Sequence, residues 1–208
     1  MSKLLYLESS PRKDRSASIE VAQSFIGAFQ DADAKNEVDT LDLWDFQLPE
    51  FDGDRINAKY KVLHEKNPTN EEARAWDEIL KIVALFKDAD SYLFSIPMWN
   101  FSIPYKLKHF LDVIIQPGLA FNFSPETGYQ GLVTGKPVTV IYARGGEYSS
   151  AETIAMDFQK TYMEMILGFI GFQDIKTIIV EPTLTDSQSM ERTLSASKEQ
   201  AILFAKHL

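Results

Sequence analysis

"SYLFSIPMWNFSIPYKLKHFLD", Ser91 to Asp112, is the stretch whose reading decides the fold. Ser91 to Pro97 is a short apolar run with the length of a buried strand. Pro104 suits the first turn of a helix. Leu107, Phe110, Leu111 and Ile114 then recur at helical spacing and give that helix a buried face. Between strand and helix stands a loop carrying Met98, Trp99, Asn100 and Phe101. Large aromatics bury much apolar area only when they find a partner. Something must therefore cover this loop.

The same alternation extends outward in both directions. "KLLYLE" (Lys3 to Glu8) reads as a buried strand running into Ser9, Ser10 and Pro11. From Ser16, a helical stripe follows through Ile19, Ala22, Phe25, Ile26 and Phe29. "EVDTLDL" (Glu37 to Leu43) alternates in part and reads as a second strand nearer an edge. Asp52 to Asn70 is polar and charged. Thr69 and Glu72 form a capping-box pair, and Ala73, Trp76, Leu80 and Val83 continue as a helix.

Downstream, "PVTVIYA" (Pro137 to Ala143) is the fourth strand, stopped by Gly145 and Gly146. Ile154, Phe158, Tyr162, Met165 and Phe169 mark a long helix, with Gly168 and Gly171 near its C-terminal end. "IKTIIVE" is the fifth strand, and Asp186 is the expected N-cap of a last helix carrying Met190, Leu194, Ala201 and Phe204. Residues Ile115 to Thr134 are long for a connection and are expected to hold a small hairpin beside the main sheet.

Five apolar strands alternating with five helices imply an α/β fold, a parallel sheet covered on both faces. Right-handed crossovers leave the flavodoxin-like doubly wound order 2-1-3-4-5 as the leading topology. A chain of 208 residues suits one well-buried core, and no repeat or composition shift divides it, so residues 1–208 are expected to form a single domain.

Composition narrows the chemistry. With no cysteine, disulfides, thiolate zinc sites, iron–sulfur clusters and a cysteine nucleophile are excluded. A net charge of −9 disfavours nucleic acid and anionic lipid as partners. No run approaches the roughly 20 apolar residues that span a bilayer. The Leu4–Leu7 run is too short for a signal peptide, which places the protein in the cytoplasm.

In an open parallel sheet, ligands bind beyond the carboxyl ends of the strands, where the strand order reverses. That crevice lies between the first and third strands. It receives "ESSPRKDRSAS", "SIPMWNFSIP" and "ARGGEYSS", the chemically strangest segments in the chain. The first can present backbone N–H groups at a helix N-terminus to a phosphate, with Arg12, Lys13 and Arg15 nearby. Ser16 or Ser18 could equally be a plain N-cap, and this loop alone does not choose. Arg144-Gly145-Gly146 offers a backbone that a flat ligand can approach, although a simple glycine turn also accounts for it. Met98, Trp99 and Phe101 could fold back as core, but Asn100 adds two donors and an acceptor suited to a heterocycle's edge.

Several reactions lack their residues. No GxGxxG follows the first strand and no GxxxxGK[ST] exists. A phosphatase of this topology needs a first-loop cysteine, and a phosphoacceptor domain needs more acids than Glu8. His64, His109 and His207 have no visible nucleophile or metal-ligating partners. No catalytic side chain and no metal site is expected, so the chemistry belongs to a bound cofactor.

"PMWNFSIPYKLKHFLD" resembles the PM[YW]NF…LK…[FL]D signature of the FMN-dependent NADH-azoreductases, also described as FMN-dependent NADH:quinone oxidoreductases. "SSPRKDRSAS" resembles that family's serine-rich phosphate loop, and "GLVTGKPVTVIYARGG" and "LGFIG" look like its later segments. The resemblance implies a flavodoxin-like homodimer that binds FMN non-covalently near the subunit interface. By a ping-pong mechanism it would pass two electrons from NADH or NADPH to quinones or aromatic azo compounds.

Carried over by position, Ser10, Ser16, Ala17 and Ser18 would hold the FMN phosphate. Met98, Trp99, Asn100 and Phe101 would line the isoalloxazine ring, and Ala143, Arg144, Gly145 and Gly146 would approach its pyrimidine end. Ala143 stands where relatives can have serine, and Glu147-Tyr148 follows the double glycine where relatives can carry histidine; both bear on substrate choice. Apart from the resemblance, Arg55, Lys59 or Tyr60 in the charged stretch could touch the incoming nicotinamide cofactor; Phe121, Phe123 and Phe169, outside the five-strand core, could pack in the dimer that the resemblance implies or within the chain. A flavodoxin-type electron carrier and a flavin-linked redox sensor are the competing readings.

Overall fold

The structure is a computed structural model, and it describes residues 1–64 and 66–208. Five parallel strands make the main sheet: β1 (Lys3–Glu8), β2 (Glu37–Asp42), β3 (Ser91–Pro97), β6 (Val138–Ala143) and β7 (Ile175–Val180). Their order is β2-β1-β3-β6-β7, the doubly wound arrangement expected from the sequence. Between β3 and β6, the strands β4 (Phe121–Ser124) and β5 (Gly128–Gly131) pair antiparallel as the expected hairpin.

The three central strands are buried along almost their whole length, which is why they read as continuous apolar runs. Alternate side chains serve different cores. Leu4, Tyr6, Leu93, Ile141 and Ile178 pack under α1 (Ala17–Ala32) and α7 (Ser187–Ala205). Leu5, Leu7, Tyr92, Phe94, Ile96 and Val140 face α3 (Asn70–Lys87), α4 (Tyr105–Ile114) and α6 (Lys160–Ile170). Strand β2 is mostly exposed at the sheet edge, as its broken alternation implies.

Local signals hold at most helix ends. Thr69 and Glu72 form a reciprocal capping box on α3. The Asp186 carboxylate accepts from the Ser189 N–H at the start of α7. Gly171 ends α6 in a left-handed conformation with φ 117°, which glycine adopts without steric cost.

Two segments differ from expectation. The polar stretch after β2 contains a helix, α2 (Gly53–Leu63), started by Asp52 accepting from the Arg55 N–H. Ala58 is its one buried residue, so it carries no apolar stripe to announce it. Ion pairs from Arg55 to Glu78 (2.5 Å) and from Lys61 to Glu72 (2.6 Å) tie it to α3. Glu65, within the same stretch, lies outside the described residues.

The helix expected to run continuously past Ile154 and Phe158 is instead α5 (Ala151–Ile154), a turn, and α6. Asp157 accepts from the N–H groups of Gln159 and Lys160, while Phe158 donates its N–H to the Phe101 carbonyl. Side-chain capping and a distant acceptor replace the helical bonds there. Ile154 and Phe158 are consequently exposed rather than core, and Met165 lies on the exposed face of α6. Among the described residues no helix is long and apolar enough to cross a membrane.

Candidate active site

The loops after β1, β3 and β6 meet at the carboxyl end of the sheet around a cleft of about 360 Å³. Register brings them together, since Glu8 pairs with Ser95 and Pro97 with Ala143 across adjacent parallel strands. The Met98 N–H donates to the Ala143 carbonyl at 2.8 Å, joining the second and third loops directly.

Ser10, Ser16 and Ala17 line one end of the cleft. Ser16 is the N-cap of α1 in position, yet its side chain makes no capping bond. Its hydroxyl lies 3.2 Å from that of buried Ser18. Among the described residues, no acceptor meets the N–H groups of Ala17, Ser18 and Ile19. A buried helix N-terminus with orphan donors and two hydroxyls beside it suits a phosphate group. The adjacent Ser9 plays a different part, donating its hydroxyl to the Ser95 carbonyl at 2.6 Å and so binding the loop to β3.

Charge around the first loop is unevenly committed. Lys13 is ion-paired with Glu8 at 2.7 Å and with Asp42. Burial alone would lower the Lys13 ammonium, but the hydrogen bonds to Asp42 and Glu8 outweigh it and hold the pKa up. Burial would likewise raise Asp42, and Lys13 with the Trp44 N–H holds it below the usual carboxylate range. Lys13 thus anchors the loop to β1 and β2. Arg12 and Arg15 remain at the cleft wall, together with Asp14 and Glu20.

Pro97, Met98, Trp99, Ala143 and Gly145 form the opposite end, with bare backbone at Gly145. Asn100 and Phe101 sit in left-handed backbone, at φ 47° and 67°. Reciprocal bonds hold their turn, Trp99 N–H to the Ser102 carbonyl at 2.9 Å and the reverse at 3.0 Å. Asn100 faces a second cavity of about 670 Å³ on the far side of Trp99, shared with Phe51, Tyr105, His109 and Tyr162. Phe101 is half-exposed. Gly146 follows in the loop beside Tyr148. The Arg144 side chain does not enter the cleft; it is 2% exposed and ion-paired behind it with Asp157 and Glu181.

Three contributors escaped the sequence reading. Trp44, from the loop after β2, donates its indole N–H to the Ser9 carbonyl at 3.0 Å and packs against Trp99 and Tyr105. Thr183 and Leu184, from the loop after β7, line the cleft and bond the carbonyls of Arg144 and Gly145. Leu184 is 84% exposed and arches so closely over Gly145 that a Cβ there would lie 2.8 Å from its Cδ1. An isolated exposed leucine has no signal in the sequence until the fold sets it over a cleft.

A narrow cleft with phosphate-type donors at one end, and with aromatic and thioether side chains and open glycine backbone at the other, fits a mononucleotide carrying a flat heterocycle. Residues 2–202 match a protein family described by its flavodoxin-like fold. The FMN-dependent NADH:quinone oxidoreductase of Desulfotalea psychrophila is 67% identical over 208 residues, covering 100% of this chain and 98% of that protein. Its counterpart from Nitratidesulfovibrio vulgaris is 44% identical over 209 residues, covering 100% and 98%. The crystal structure of an azoreductase from Bacillus anthracis superposes with a TM-score of 0.92 at 28% identity, covering both chains fully. An FMN complex of an FMN-dependent NADH-azoreductase from the same species has a TM-score of 0.87 at 26% identity, covering 99% of this chain and 100% of that one. The chain belongs to the flavodoxin-like family that contains the FMN-dependent NADH:quinone oxidoreductases.

Proposed function

We propose that this chain is an FMN-dependent oxidoreductase that takes electrons from NADH or NADPH and delivers them to quinones or aromatic azo compounds. The observation that carries the reading is the N-terminus of α1, whose unpartnered N–H groups open into the same cleft as Met98, Trp99 and Gly145. Similarity over the whole chain to enzymes named for this activity supports it. Residues 1–208 then act as one FMN-binding unit.

Bound FMN would supply a two-electron carrier between the nicotinamide and the acceptor. The chain's own part is to bind and orient. Ser10, Ser16 and the Ala17 and Ser18 N–H groups hold the phosphate against the positive end of α1. Met98 and Trp99 exclude water from one side of the ring, with Asn100 and Phe101 completing that loop. Gly145 and Gly146 supply backbone N–H groups for the pyrimidine edge, where fixed donors stabilise developing negative charge. Ala143 and Arg144 hold that turn in place, the Ala143 carbonyl accepting from the Met98 N–H and the Arg144 N–H donating to the Val180 carbonyl.

A homodimer belongs to the same proposal. The rings of Phe121, Phe123, Tyr129 and Phe169 form a chain with neighbouring centroids 4.8 to 5.9 Å apart. Phe123 and Tyr129 remain 61% and 64% exposed, a pattern typical of an interaction surface. Sedimentation at micromolar concentration should give twice the chain mass; a monomer there would exclude this surface as a stable interface. A cytoplasmic location, where NADH is available, completes the reading and is checked by cell fractionation.

The deciding experiment is anaerobic addition of NADH to the FMN-loaded protein. Rapid bleaching of the yellow colour, and its return on adding a quinone, is the expected result. Colour that NADH does not bleach would make the protein an electron carrier. Failure to take up FMN would end the flavin reading altogether.

A further inference from the structure

Arg144 is the largest fully buried side chain in the described residues, and it lies behind the cleft rather than in it. Its guanidinium donates to three acceptors: Asp157 Oδ2 at 2.6 Å, Gln159 Oε1 at 3.1 Å and Glu181 Oε2 at 3.3 Å. The rings of Tyr142 and Tyr148 lie 5.8 and 5.5 Å from its carbon centre. Such an arrangement uses the planar fork that arginine has and lysine lacks.

Each acceptor also engages a second element. Asp157 caps α6 through its other oxygen, accepting from Gln159 and Lys160. Its neighbour Phe158 donates its N–H to the Phe101 carbonyl at 3.0 Å. Gln159 donates to the Ile96 carbonyl at 3.0 Å, two residues before Met98. Glu181 accepts from the Tyr148 N–H at 3.3 Å, closing the loop that begins with Gly145. The guanidinium therefore stands at the junction of both ring-side loops. Left-handed backbone at Asn100 and Phe101 persists only where surrounding contacts over-determine it, and the bond from Phe158 is one such contact.

We propose that Arg144 is a positioning residue for the flavin site, holding the Asn100–Phe101 turn and the Gly145–Gly146 loop in the pose that receives the ring while its own side chain stays out of the cleft. This rests on the FMN reading above. It differs from a purely structural ion cluster in what it predicts: loosening the cluster changes the bound flavin itself, not only the melting temperature.

The test compares R144M, R144K and D157N with the wild-type protein by FMN titration, visible spectrum of the bound flavin, and kcat and KM for NADH and a quinone. R144M strands two acidic side chains in a buried place and can fail to fold. D157N keeps an oxygen for the α6 cap but turns an amide NH2 toward the guanidinium, removing the charge and the acceptor that Arg144 meets, so it loosens the cluster while the cap is retained. For D157N, FMN affinity should fall about tenfold, the scale of one charge-assisted hydrogen bond, with an altered flavin band and a lower kcat. R144K should fall between wild type and D157N. A D157N protein with wild-type FMN affinity, spectrum and kcat overturns the proposal, whatever its thermal stability. Wild-type protein that takes up no FMN overturns the functional reading and this proposal with it, a result distinguishable from the first.

Discussion

Trp44 lies with its ring 5.7 Å from that of Trp99, so a residue of the loop after β2 braces the loop after β3. The same indole donates to the Ser9 carbonyl, which locks the loop after β1 to the loop after β3. W44A should lower stability by about 2 kcal/mol through lost aromatic packing and weaken FMN about tenfold. W44F keeps a ring and loses the indole N–H, so about 1 kcal/mol is expected. Urea unfolding and FMN titration check both. Unchanged FMN affinity in W44A would show that the brace serves stability alone.

Introducing a carboxylate at the head of α1 should separate folding from cofactor binding. In A17D the new charge lies where a phosphate would lie, and FMN affinity should drop by about 100-fold through like-charge repulsion. The same charge favours the helix N-terminus by about 0.5 kcal/mol, which offsets part of the cost of placing a carboxylate where Ala17 packs against the core, so the cofactor-free protein should melt close to wild type. Flavin titration and thermal melting read the two effects. Retained FMN binding would place the phosphate elsewhere.

Gly131 in β5 packs against the end of α6 so closely that a Cβ there would overlap the backbone nitrogen of Gly171. The obstacle is backbone, which no rotamer change can move aside. G131A should therefore cost about 3 kcal/mol and displace the hairpin from α6. Chemical denaturation measures the loss. A wild-type midpoint would mean that the hairpin rests more loosely on α6 than this contact implies.

The Lys13–Asp42 pair sets an acid limit for the first loop. Asp42 is held below its ordinary value of 3.8 in the folded chain. Its contribution to stability is present above that value and is lost as pH falls through the lower, folded value. Lys13 is raised above 10.5, so its contribution is present below that pH and lost as pH rises through the folded value. Stability from this pair should be flat across neutral pH and decline at both ends. In D42N the acid decline should become shallower, as measured by urea midpoints between about pH 3 and 7. An unchanged acid slope would remove Asp42 from the acid response.

What the sequence by itself determined was the sheet and the identity of the first and third loops. Ser91–Pro97 and Val138–Ala143 read as buried strands because both faces of a central parallel strand are covered, leaving an unbroken apolar run. The serine-rich, Met98–Phe101 and double-glycine segments were legible because serine, aromatic and glycine residues clustered at strand ends have few other uses. Tertiary structure alone decided the rest. Helix α2 buries one residue and is held by ion pairs to α3, so no periodicity marked it. Between α5 and α6 the apolar spacing continued, but Asp157 and Phe158 gave their bonding capacity to an α6 cap, Arg144 and Phe101. Trp44 and Leu184 reach the cleft only because parallel strands bring all their carboxyl ends to one edge. Arg144 reads in the sequence only as part of a glycine loop, and its side chain's place behind the cleft wall was set by the packing. Hydrophobic periodicity reports which face is buried; which distant acceptor a buried cation finds is set by chain packing across many residues.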